Sequence, residues 1–232
     1  MANNYNGSYA ELVTDIAENV ELVFEAGQKS EYDRFWDGFQ DYGNRRDYDS
    51  AFINWNDETF KPKYDIIVKG WSSSLFRKSS ITDLKGILEK QGVRLDTSES
   101  QAILQSFQDS SVTHIPEINA TKSTNNNYLF ASNSILTIDK FIVVETTSYT
   151  NYTFLCEILE SVIFEGVIGQ NGLSVSSCTK LSHESLMSIK RALKSGVSGL
   201  TVTFSTKHKE DGKLTDSDIA EISAKGWSVA FK

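Results

Sequence analysis

The stretch VTHIPEINATKSTNNNYLFASNSILTIDKF, residues 112–141, decides the reading of the fold. Val112, Ile115 and Ile118 form an apolar triplet that returns one unit later as Ile135, Ile138 and Phe141. The interval persists on both sides of the stretch. Leu95, Ile118, Phe141 and Phe164 are each 23 apart, and so are Val112, Ile135, Ile158 and Leu181. A third register runs through Leu84, Phe107 and Phe130 before slipping by one residue to Phe154. A fixed period in the twenties is the mark of a solenoid, because one unit cannot bury its apolar face alone and must stack on a neighbour.

Each unit combines a strand and a polar return. Residues 136–144 and 162–168 are rich in β-branched residues and predict short strands. Between them lie the polar stretches 119–127, 146–153 and 166–172. Four to five such coils, at about 4.8 Å each, make a parallel sheet roughly 20 Å long.

The flanks differ from the repeat, which spans residues 81–181. In residues 1–80, Leu12, Ile16, Val20, Val23 and Phe24 follow helical spacing, with Glu11, Asp15, Glu18 and Glu21 on the other faces. Gly27 ends that helix, and a short second one carries Tyr32, Phe35, Trp36 and Phe39. An aromatic, turn-rich region then runs to Tyr64, so the segment reads as a helical N-terminal cap. In residues 182–232, Ser182 is placed to cap a helix with Leu186, Ile189 and Leu193, followed by a strand at 200–204. Thr215 caps a second helix with Ile219 and Ile222, and residues 227–231 form a last strand. Two helix–strand units there close an edge that otherwise invites aggregation. The three regions read as one continuous domain.

Composition narrows the function classes. The 232 residues are 39% apolar and 23% charged, ordinary for a folded chain. A formal net charge of −8 disfavours nucleic acid and anionic lipid as partners. No stretch approaches the roughly 18 apolar residues of a membrane span, and the start of the chain lacks the basic and apolar regions of a signal peptide. Cys156 and Cys178 are 22 apart and fall on adjacent coils. A disulfide is geometrically conceivable, but two free, buried thiols are the favoured reading.

The chemistry-bearing residues form no catalytic pattern. His114, His183 and His208 have no serine-elbow motif near them. Gly166, Gly169 and Gly172 lack the ending of a phosphate loop and read as turn glycines. Residues 207–218 echo a calcium loop, but Lys207 and Lys209 fall on ligand positions and cannot coordinate the ion. The pairs Asp47/Asp49 and Asp216/Asp218 read as turn and cap residues. No catalytic residue, cofactor or metal ligand is therefore expected.

Two groups of residues suit binding instead. The aromatics from Tyr32 to Tyr64 fit a glycan or protein surface, set against the plainer reading that they plug the end of the stack. The returns carry Asn125, Asn126, Asn127, Tyr128, Tyr149, Asn151 and Tyr152, a mixture typical of adaptable binding surfaces. The candidate binding surface is Tyr32, Trp36, Tyr42, Trp55, Asn126, Tyr128, Tyr149, Asn151 and Tyr152.

A resemblance adds to this reading. DRFWDGFQ (residues 33–40), GNRRDY (43–48) and TFKPKYD (59–65) are similar to the N-terminal signature of a group of leucine-rich repeat proteins encoded in bacterial and prophage genomes. IGQNG (168–172), CTKLSHESLMSI (178–189), KLTD (213–216) and KGW (225–227) also resemble that group. The repeats look like the BspA-type bacterial leucine-rich repeats, which place a Phe before an Asn or Cys and an Ile or Leu. Phe130, Asn133 and Ile135 fit, as do Val175, Cys178 and Leu181 with Val for Phe; the unit at Phe107 departs, with Ser110 in the Asn position. The resemblance implies a short leucine-rich repeat, parallel-sheet solenoid of period 23, in the α/β class, with a helical N-terminal and a helix–strand C-terminal cap. It also implies a binding or adhesion role and hands over no catalytic residue. The expected function is a non-enzymatic recognition module that presents a rigid repeat surface to a protein or glycan, in the cytoplasm or on a phage particle. The alternative is an assembly protein that docks through its N-terminal helix and aromatics.

Overall fold

The structure is a computed structural model that describes residues 52–53, 55–71, 74–150 and 152–232. The first expected helices lie outside these residues. Strand β1 (Ile66–Trp71) pairs in parallel with β2 (Leu95–Ala102), with Ile66 opposite Leu95. Helix α1 (Leu84–Gln91) lies between them in sequence. The Asp83 carboxylate accepts from the Gly86 N–H at 3.0 Å, satisfying one of the free donors at the helix start.

The central sheet holds β3 (His114–Ile115), β4 (Ile118–Asn119), β5 (Thr137–Val143) and β6 (Ser161–Gly166). β5 pairs in parallel with β3 and β4 on one side and with β6 on the other. Ile115 stands opposite Ile138, Ile118 opposite Phe141, and Phe141 opposite Phe164. The sequence period is thus the lateral repeat of the sheet here: equivalent positions of successive units sit side by side. Pro116 falls between β3 and β4, where its missing N–H interrupts the ladder. Gly166 closes β6 at φ +98°, and a Cβ there would lie 1.9 Å from the Val143 carbonyl oxygen.

A column of phenylalanines runs beside the strands. Phe76 stacks on Phe107 at 5.4 Å, Phe107 on Phe130 at 6.0 Å, and Phe130 meets Phe154 at 5.1 Å, all buried. Two details correct the sequence reading. Leu84 is not the first member of this column; it is buried on α1, and Phe76, which begins a longer unit, takes the place. After the slip at Phe154, Leu159 rather than Ile158 is fully buried, because the extra residue shifts which side chain faces inward.

Helix α2 (His183–Ala192) ends the central sheet. Ser182 caps it, its hydroxyl accepting from the Ser185 N–H at 3.2 Å. Ser185 Oγ accepts from the Val162 N–H at 3.0 Å, and Ser188 Oγ from the Phe164 N–H at 3.1 Å. Two buried serines therefore satisfy strand donors that an open edge leaves bare. Beyond α2, β7 (Leu200–Phe204) and β8 (Trp227–Phe231) pair in parallel, linked by α3 (Thr206–Glu210) and α4 (Asp216–Ala224).

Charges fasten this last part. Lys190 Nζ bonds Asp218 at 2.7 Å and Glu221 at 2.9 Å, joining α2 to α4. Burial alone raises the Asp218 carboxyl, but the bonds from Lys190 and Thr215 outweigh it and hold the group at about 2. Lys225 donates to the carbonyls of Lys190 at 2.6 Å and Leu193 at 2.8 Å, placing an ammonium at the negative end of α2.

Truncating Phe107 to Ala opens the middle of the column and is expected to cost about 3–5 kcal/mol in urea unfolding. Leu136→Ala, on the partly exposed face, serves as the control and stays within about 0.5 kcal/mol. Ser188→Ala orphans the Phe164 N–H and is expected to cost about 1–3 kcal/mol, read as faster amide exchange confined to β6.

Candidate recognition surface

The polar returns are ordered by hydrogen bonds between successive units. Asn126 Nδ2 donates to the Ser148 carbonyl at 2.9 Å, and Thr150 Oγ1 donates to Asn127 Oδ1 at 2.8 Å. The Phe130 N–H donates to the Thr153 carbonyl at 3.0 Å. These bonds align residues 126–130 with Thr150 and residues 152–154. Tyr128 sits in the left-handed region at φ +53°, a conformation shared by Gln105 at +57°, its equivalent in the preceding unit. The turn imposes that conformation, at a cost on the order of 1 kcal/mol for a non-glycine residue.

The turns bring Tyr128 and Tyr152 together. Their rings stack at 4.9 Å and are within 5° of parallel, and Tyr152 is 49% exposed. Beside them are the Asn127 and Thr150 side chains, so the patch combines flat apolar faces with amide and hydroxyl groups. Such a patch offers stacking and hydrogen bonding.

The other sequence candidates lie elsewhere. Tyr32, Trp36, Tyr42 and Asn151 fall outside the described residues. Trp55 is 1% exposed and meets Phe52 at 5.6 Å and Phe60 at 6.2 Å, so it is a core residue. Asn126 and Tyr149 are 1% and 5% exposed, turned inward rather than toward a ligand. They share one lateral position with Ile103, one unit apart at each step, and that apolar first member marks the column as internal. Asn126 Oδ1 and the Tyr149 hydroxyl are buried without a partner among the described residues. Burial pushes the Tyr149 phenol well above its ordinary value.

Other polar clusters are structural in their geometry. His114 Nε2 is 2.6 Å from Asp139 Oδ1, and Lys85 Nζ is 2.8 Å from Asp139 Oδ2. Burial works to raise the Asp139 carboxyl, yet its bonds with Lys85 and His114 prevail and hold it below the ordinary range. No hydroxyl or thiol among the described residues bonds this Asp–His pair, as nucleophilic catalysis requires. A recess of about 260 Å³ beside β2 and β4 is lined by Arg94, Asp96, Ser98, Glu117 and Asn119. Its guanidinium is already held by Asp65, at 3.0 Å. Both cysteines are buried and unbonded; burial pushes the Cys156 thiol up to about 12, and it points at the Phe130 carbonyl. Among the described residues, no group of three or more His, Cys, Asp or Glu side chains could hold a metal ion, and no helix is long and apolar enough to cross a membrane.

Compared with known proteins, the chain matches no family model, no curated protein and no solved structure.

Tyr149→Phe removes a buried hydroxyl that has no partner among the described residues, so it is expected to leave stability unchanged or to raise it by up to about 1 kcal/mol in urea unfolding. A loss larger than about 1 kcal/mol in that measurement means the hydroxyl is held by a group outside these residues.

Proposed function

We propose that this chain is a non-enzymatic recognition module, built as a short BspA-like leucine-rich repeat solenoid, whose polar returns present a rigid surface to a protein or glycan. The observation that carries the reading is the Tyr128–Tyr152 stack, two aromatic rings aligned at 4.9 Å on matching turns of adjacent units. Ring alignment of this kind is fixed in advance by side-chain and backbone hydrogen bonds between the turns, so a ligand meets a surface that needs little ordering on binding. The parallel registers, which step by one sequence unit from strand to strand, support the repeat architecture. The phage or prophage setting rests on the sequence resemblance alone and belongs to the same proposal.

The alternative, assembly through the N-terminal helix and aromatic cluster, draws less support. Phe52, Trp55 and Phe60 are consumed in packing against each other and Phe76, which leaves these rings no free face for a partner subunit.

A glycan array probed with the full chain, followed by titration of the retained glycans, tests the reading. Tyr152→Ala is expected to weaken a genuine ligand by up to about tenfold, the value of one lost aromatic stack. Failure of any glycan or purified surface protein to bind, or binding that Tyr152→Ala leaves untouched, counts against it.

A further inference from the structure

His208, on α3, is 0% exposed and hydrogen-bonded through both ring nitrogens. Its Nε2 lies 2.8 Å from the Cys178 carbonyl oxygen, which only accepts, so Nε2 carries the proton and donates. Its Nδ1 lies 3.3 Å from the Ser205 N–H, which only donates, so Nδ1 holds the lone pair. The neutral Nε2–H tautomer is the one form that satisfies both neighbours. The Cys178 bond joins residues 30 apart in sequence, fastening the unit after β7 to the segment before α2.

On balance the surroundings disfavour a second proton: burial and Lys213 oppose it, and the Cys178 carbonyl and Asp211 favour it. The Phe204 ring lies edge-on at 6.3 Å. The charged groups acting on the imidazole are Lys213 and Asp211, both from the loop after α3, and their effects oppose each other. The neighbouring Cys178 thiol is kept neutral by burial and brings no charge. Burial, the dominant influence, holds the imidazole below its ordinary value.

We propose that His208 is an acid-sensitive latch: protonation turns Nδ1 into a donor facing the Ser205 N–H, undoes the capping box of α3, and releases residues 205–231 from the rest of the chain. The folded unit binds this proton less readily than the opened one, whose histidine titrates near 6.5. The stabilising contribution is therefore complete above about pH 6.5 and is lost as the pH falls below it toward the depressed folded value. His183 provides an internal contrast. Its Nδ1 donates to the Lys213 carbonyl at 2.9 Å, a bond that the protonated ring also makes.

Hydrogen–deuterium exchange on the full chain, corrected for intrinsic rates, tests the latch. Protection of residues 205–231 is expected to fall at least about tenfold between about pH 7.5 and about pH 5, while β5 and β6 keep theirs. His208→Gln retains an amide donor and acceptor but does not titrate, and it is expected to shrink that difference to about twofold or less; His183→Gln is expected to keep it whole. Equal protection of wild-type residues 205–231 at both pH values overturns the proposal, as does an undiminished fall in His208→Gln. If His208→Gln does not fold, a proton titration of the wild-type imidazoles decides. A His208 ring that stays neutral until the segment opens supports the latch. A ring that titrates near 6.5 with protection intact overturns it.

Discussion

The structure depends on one lateral constraint: parallel backbone pairing between successive segments, which in the central sheet recur every 23 or 24 residues. Parallel ladders offer evenly spaced, slanted bonds and need a return connection between every pair of strands. Once Ile115 pairs with Ile138, and Ile118 with Phe141, the core-facing positions of adjacent strands become lateral neighbours. The phenylalanine column is the side-chain expression of that rule. Its rings stack because their Cα atoms are already aligned, and it fails to be regular where the backbone does, at the tilted Phe130–Phe154 contact.

The same constraint explains where polar groups are tolerated in the interior. Ser132 Oγ donates to the Ser110 carbonyl at 2.7 Å, and Thr97 Oγ1 both donates to the Asn119 carbonyl and accepts from its N–H. Each is a short side chain bridging adjacent units, Ser132 from a loop and Thr97 from within β2. Ser185 and Ser188 do the same work from a helix, which lets α2 replace a strand without leaving bare donors on β6. Specificity of register comes from these bonds as much as from apolar burial, since a one-residue slip mismatches every one of them.

Much of this was legible in the sequence, for identifiable reasons. The positions Leu95, Ile118, Phe141 and Phe164 are buried as their spacing predicts, because period and lateral repeat are the same quantity. Ser182 and Thr215 cap their helices as expected, since capping is local chemistry. The exposed face of the returns was harder to read. Tyr149 and Tyr152 are close in sequence and chemically alike, yet one faces the core and the other solvent. Composition cannot tell them apart; only the column through Ile103 and Asn126 does. The edge-sealing serines of α2 were equally hidden, because a pair of serines one helical turn apart reads as surface.

The unit carrying α1 has a consequence for how such a chain can change length. Phe76 and Phe107 still stack although their spacing exceeds the usual unit by the length of α1, which is 8 residues. An insertion placed in a return, as α1 is, leaves the strands on either side paired in parallel, whereas a one-residue change inside a strand is taken up by a local register shift, as between Ile138 and Phe141. Duplication and trimming of the returns are thus open routes for altering what the chain touches. The strands, by contrast, act as a ruler that tolerates a displaced graduation here and there but no change of its overall length.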